Sequence, residues 1–180
     1  MNYPHIVFLD LDGPLFSGRA LLMPENNGDE SEILKQLNLH PLVSYWKADP
    51  VAIAMLHDLS KIRPFHFVIS SSWADDNQHS KEQIERLLKM NDVRINLHKD
   101  WRTPRTKEKD KVKEVSMWLE NNKYADYMIL DDWDSGDKFA NDTLLRKNNL
   151  NKFKVVLVDA DEGITMKDFY KMQATVSNWD

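Results

Sequence analysis

Asp10 and Asp12 stand one residue apart at the end of the apolar run Ile6, Val7, Phe8 and Leu9, and Gly13 follows them. Two acids this close repel, and burying them costs several kcal/mol unless a cation or hydrogen bonds compensate. A hard divalent ion such as magnesium, which takes oxygen ligands, is the natural compensation. The apolar run predicts a strand covered on both faces. Strand alternation then sends Asp10 and Asp12 to one side and Leu11 to the other. Gly13 lets the backbone turn as it leaves the strand. The plain alternative is an ordinary strand that ends in two surface acids.

Two further segments repeat this arrangement. The mostly apolar residues 65–69 lead into Ser70, Ser71, Ser72 and Trp73, and residues 127–130 lead into Asp131 and Asp132. Hydroxyls can hold a phosphoryl oxygen, and a second acid cluster can complete a magnesium site. Each cluster alone reads equally as turn or cap residues. Three of them after successive strands predict one chemical edge. Trp73 has two open readings, stacking on a base or aromatic leaving group and packing against a neighbouring loop.

The elements that must position these groups alternate in type. Strands are expected at 6–9, 65–69, 127–130 and 154–158, with a weaker one at 93–97. Helices are expected at 50–59 with Val51, Met55 and Leu59 on one face, at 81–90 with Ile84, Leu87 and Leu88, and at 109–121 with Val112, Val115, Trp118 and Leu119. Such alternation predicts an α/β fold with a central parallel sheet covered on both faces. Ligands of such sheets bind beyond the carboxyl ends of the strands. Residues 14–49 are expected to form an excursion on that side, a small cap or lid, or else a surface insertion without a role. It carries a turn at Asn26, Asn27, Gly28 and Asp29 and a helix-like piece at 31–37. The segment 99–107 interleaves Lys99, Arg102, Arg105 and Lys107 with Trp101. It is expected to be a solvated loop, with guidance of a nucleic-acid end as the alternative.

The 180 residues fit one domain. A net charge of -5 argues against a general nucleic-acid footprint, though not against a local basic patch. Without cysteine there is no disulfide framework, thiolate metal site or cysteine nucleophile. His57, His66, His79 and His98 show no metal-ligand spacing. The start lacks a basic leader and no apolar run reaches the roughly 20 residues of a membrane helix, so a soluble, cytoplasmic protein is expected.

Taken together, Asp10-Leu11-Asp12-Gly13 after the first strand resembles the first motif of the haloacid dehalogenase-like (HAD) phosphohydrolases. Ser70 resembles their second motif, and Asp131 with Asp132 their fourth. The run from Ile69 to Trp73, the helix phrase from Lys111 to Leu119, and Val158-Asp159 before Gly163-Ile164-Thr165 are similar to a narrower group, the HAD domains associated with RNA repair proteins and related phage or bacterial phosphatase-like proteins. The resemblance covers the chain from Ile6 to about Thr165, apart from the excursion.

The resemblance implies a three-layer, Rossmann-like HAD fold with a small or absent cap, and a magnesium-dependent phosphatase. Asp10 would be the nucleophile that forms an aspartyl-phosphate, and Asp12 the proton carrier. Asp10, the Asp12 carbonyl, Asp131 and, as second candidate, Asp132 would hold magnesium. Ser70 would bind a phosphoryl oxygen, with Ser71 as the fallback. Gly13, Ser71 and Trp73 complete the expected substrate-binding set. The cation of the third motif is assigned to Lys111, with Lys107, Lys109 and Lys113 as alternatives. Pro14 departs from the family pattern, which has threonine or valine there, and it removes an amide donor. The substrate would be a nucleotide or a nucleic-acid terminal phosphate. A small phosphorylated metabolite, or a phosphate-binding module without turnover, are the competing readings.

Overall fold

The computed structural model describes residues 3–26, 47–74, 79–133 and 137–179. Its five strands are β1 (His5–Leu9), β2 (Phe65–Ile69), β3 (Leu97–Arg102), β4 (Tyr127–Asp132) and β5 (Val155–Val158). All ladders are parallel, in the order β3-β2-β1-β4-β5. The chain starts in the centre, builds outward to β3, and crosses back to β4. The order therefore reverses beside β1, where a crevice forms at the carboxyl edge of such sheets.

Alternation along β1 shows why the strand is apolar on both faces. Val7 and Leu9 join a core layer with Ala52, Leu56 and Leu59 of α2 (Pro50–Ile62), Ile84 and Leu87 of α3 (Lys81–Met90), and Met172 and Val176 of α6 (Met166–Ser177). Ile6 and Phe8 point the other way, to Val112, Val115 and Trp118 of α4 (Lys111–Asn121) and Leu145 of α5 (Asp142–Lys147). The result is the three-layer α/β arrangement, helices on both faces of a parallel sheet. A further α-helix, α1 (Gly18–Leu21), is a single turn capped by Ser17.

Local signals fix the helix starts. Asp49 caps α2 ahead of Pro50, Ser80 and Gln83 form a capping box on α3, Asp110 caps α4, and Thr165 with Asp168 closes a box on α6. α6 is a helix that the periodicity reading did not assign. Val51 also departs from expectation. It is exposed, while Ala52, Met55, Leu56 and Leu59 form the buried stripe of α2.

The third strand lies later than the expected 93–97. Val93, Ile95 and Leu97 are buried in alternation, as a half-buried strand requires. However, Val93 still closes the end of α3 by donating to Leu88 O, and pairing with β2 begins only where Phe67 N donates to Asn96 O. The segment expected as a solvated loop thus contributes an edge strand. Trp101 packs on the core, Arg102 donates to Ala74 O at 2.9 Å, and Trp118 Nε1 donates to Asp100 O at 2.8 Å. Exposed Lys99 and Asp100 suit an edge that must not recruit another strand.

Of residues 14–49, the expected turn at 26–29 lies outside the described residues except for Asn26, and the helix-like piece at 31–37 lies wholly outside them. The described flanks are stitched together. Asn26 Nδ2 donates to Ala20 O at 2.6 Å and Lys47 O at 3.0 Å, and its Oδ1 accepts from Lys47 N at 2.5 Å. Arg19 Nε donates to buried Asp49 at 2.9 Å, and Asp49 N donates to Leu15 O at 2.8 Å. No helix among the described residues is long and apolar enough to cross a membrane.

Gly13 holds a left-handed φ of +78°, and a Cβ there would meet Asp132 Cβ at 2.6 Å. Backbone strain and overpacking together predict that Gly13→Ala destabilises the fold by roughly 2–4 kcal/mol, measured by urea unfolding.

Candidate active site

Register places the reactive groups. Leu9 lies level with Ile69 on β2 and Leu130 on β4, so the next residues, Asp10, Ser70 and Asp131, share one row. The ladder extends through that row: Asp10 N donates to Leu130 O at 2.9 Å and Ser70 N to Leu9 O at 2.8 Å. All three side chains are buried, as is Asp132 one position further on. Carboxylate oxygens of Asp10, Asp131 and Asp132 lie within 4.8 Å of one another.

Lys111 enters this cluster from the first turn of α4. Its Nζ donates to Asp10 Oδ2 and bridges to both oxygens of Asp131 at 3.0 and 3.1 Å. Asp10 Oδ1 accepts from Leu11 N at 2.7 Å, so both oxygens of Asp10 are oriented. Lys107, Lys109 and Lys113 are instead exposed. Burial alone would lower the Lys111 pKa, but Asp10 and Asp131 outweigh it and hold it above the ordinary lysine value. Burial first, and Asp10 second, raise Asp131 well above the usual carboxylate range, against the pull of Lys111. Three carboxylate groups this close form an all-oxygen donor set that fits a hard divalent ion such as magnesium.

Asp12 lies apart from this cluster. The strand ends at Leu9, and Asp12 belongs to a turn in which it forms an isolated bridge with Phe16. Its carboxylate accepts from Trp73 Nε1 at 2.9 Å. The expectation that strand alternation alone aims Asp10 and Asp12 alike is therefore replaced by a turn held by Gly13 N donating to Phe16 O at 3.2 Å. Buried Pro14 lies inside this turn, where Leu11 O accepts from both Leu15 N and Phe16 N. The Asp12 pKa is raised to about 6, by burial first and Asp10 second, with the Trp73 hydrogen bond opposing both.

The hydroxyls differ in kind. Ser70 Oγ is buried and has no hydrogen-bond partner among the described residues. Ser71 Oγ accepts from Trp73 N at 3.4 Å, in the turn that follows β2. Trp73 stacks on Phe16, with centroids 5.1 Å apart and planes 15° from parallel. Of its two open readings, packing describes that face.

Sequence reasoning overlooked Glu114. Fully buried, it accepts from Arg105 NH1 at 3.0 Å, Thr106 N at 2.8 Å and Thr106 Oγ1 at 3.1 Å. Thr106 Oγ1 in turn accepts from Asp110 N at 2.9 Å, which ties the loop to the start of α4 beneath Lys111. An acid three residues after a candidate lysine, on the apolar side of its helix, was the available signal.

Two outcomes follow from these environments. The folded-state pKa of Asp12 exceeds its unfolded value, so its penalty is absent below about pH 4, develops as pH rises, and is complete above about pH 6. After allowance for solvent screening, metal-free Asp12→Asn should gain roughly 1–2 kcal/mol over the parent at pH 8 and nothing at pH 3.5, read by urea denaturation. Glu114→Ala should cost about 3 kcal/mol by the same measurement, since three donors, Arg105 NH1, Thr106 N and Thr106 Oγ1, lose the buried carboxylate that accepts from them.

A family model described as "HAD domain in Swiss Army Knife RNA repair proteins" matches residues 6–169. No curated protein and no solved structure matches the chain.

Proposed function

The chain belongs to the HAD domains of Swiss Army Knife RNA repair proteins, a membership that supports a HAD-type hydrolase, and from it we propose a magnesium-dependent phosphatase for the terminal phosphate of a nucleic acid. The observation that carries this reading is Ser70, a buried hydroxyl without a partner among the described residues, in the same sheet row as Asp10 and Asp131. Buried polar atoms are ordinarily satisfied, and a phosphoryl oxygen beside Asp10 would satisfy this one.

Asp10 attacks phosphorus, forming a bond from its carboxylate oxygen as the bond to the leaving oxygen breaks. Asp12 gives its proton to that leaving oxygen, and its raised proton affinity suits the task near neutral pH. Water then bonds to phosphorus and passes a proton to Asp12, while the bond to Asp10 breaks and frees the carboxylate. Lys111 stays beside Asp10 and offsets charge on the phosphorylated side chain. Asp10, Asp131 and Asp132 would hold magnesium, with the Asp12 carbonyl as the further ligand that the family resemblance implies. When bound, the ion offsets repulsion between carboxylate and phosphate and steadies transition-state charge. The nucleic-acid end is favoured over a free metabolite by the description of the family alone.

The test is phosphate release from 3′- and 5′-phosphorylated RNA oligonucleotides, thymidine monophosphates and sugar phosphates, with magnesium or with EDTA. Release should depend on magnesium and be fastest on an oligonucleotide. Asp10→Asn should lower it at least about a thousandfold while the circular dichroism spectrum is retained. Activity kept by that variant removes Asp10 from the nucleophile role. Preference for sugar phosphates overturns the substrate class, and magnesium binding without release from any substrate identifies a binding module.

A further inference from the structure

Trp73 belongs to neither the carboxylate cluster nor the phosphate-facing row, yet its indole N–H ends on Asp12. We propose that Trp73 is a positioning residue that fixes the orientation of the Asp12 side chain, engaging Oδ2 and leaving Oδ1 for the substrate. This inference rests on the acid–base role proposed for Asp12.

The indole nitrogen is a donor only. With Nε1 at 2.9 Å from Oδ2, that oxygen accepts the indole proton, and Oδ1 is the oxygen left to meet the leaving group. Both ends of the bond are anchored through one residue. Phe16 forms the bridge that closes the Asp12 turn, and its ring stacks on Trp73. The Trp73 backbone is fixed as well, by Trp73 N donating to Ser71 Oγ and Ala74 N donating to Ser71 O at 3.0 Å. Asp12, Phe16 and Trp73 thus form a closed triangle that connects the loop after β1 to the loop after β2.

In the first chemical step, a proton passes from Oδ1 to the leaving oxygen as its bond to phosphorus breaks and the Asp10–phosphorus bond forms. An alkoxide leaving group requires that proton, whereas p-nitrophenolate departs without it. Trp73→Phe keeps an aromatic face for Phe16 and removes the donor. The ratio of kcat for a nucleoside monophosphate to kcat for p-nitrophenyl phosphate should therefore fall about tenfold, with KM for either changing by less than about threefold. Equal loss on both substrates, or no change in the ratio, overturns the inference.

A second readout does not depend on turnover. The Trp73 indole proton, identified by its disappearance from the ¹⁵N–¹H spectrum of Trp73→Phe, should move upfield in Asp12→Ala. An unmoved resonance overturns the contact. If the parent protein shows no Asp10-dependent release, the hydrolase reading falls and this inference with it. Intact release with an unchanged ratio removes the inference alone.

Discussion

Buried like charge is the constraint on which the rest of the structure depends. The sheet register lays Asp10 and Asp131 side by side, and Asp132 adds a third carboxylate in a water-poor environment. Such a cluster is stable only with compensating positive charge held in place. Lys111 supplies part of it, and much of the surrounding structure keeps that side chain where it is. Asp110 caps its helix, Thr106 ties the preceding loop to that cap, and Glu114 grips both Thr106 and Arg105 from below. A slip of one residue in β1 would put an apolar side chain in the Asp10 row. The two apolar layers that fix β1 therefore also fix the electrostatics.

The parts legible in the sequence were those encoded by short-range pattern. Residues 65–69 read as a strand because a short run of aromatic and β-branched residues, interrupted only by His66 and ended by the serines, has little else to become, and β2 spans those residues. The acids and hydroxyls at strand ends were legible for the same reason, since the end of a run is visible in one dimension. What failed depended on contacts between distant segments. β3 begins late because α3 holds Val93 and pairing waits for Phe67 to reach Asn96. Val51 has the spacing of a core residue, but the direction in which α2 docks leaves it outside and favours Ala52.

Charged and aromatic side chains were harder still. The four lysines of 107–113 are of one type in sequence, and only the position of the helix start separates Lys111 from its neighbours. Glu114 resembles a surface acid until Arg105 and Thr106 fold back on it. Trp73 offered a flat ring as if for a ligand, but Phe16, far away in sequence, covers one face and Asp12 takes the nitrogen. The signal for α6 was local after all: Thr165 and Asp168 form a cap, with Met172 and Val176 at helical spacing behind it.

The Asn26 amide pairs with both backbone groups of Lys47, much as a neighbouring strand would, and Arg19 and Asp49 lock the chain just inside that junction. The two described flanks are thus joined by bonds of their own. Asp49 carries that junction further, since it caps α2 on one side and its backbone N–H donates to Leu15 O on the other. The start of a core helix and the turn that carries Asp12 are therefore hung from the same peg. A core helix and a reactive turn cannot drift apart without breaking it.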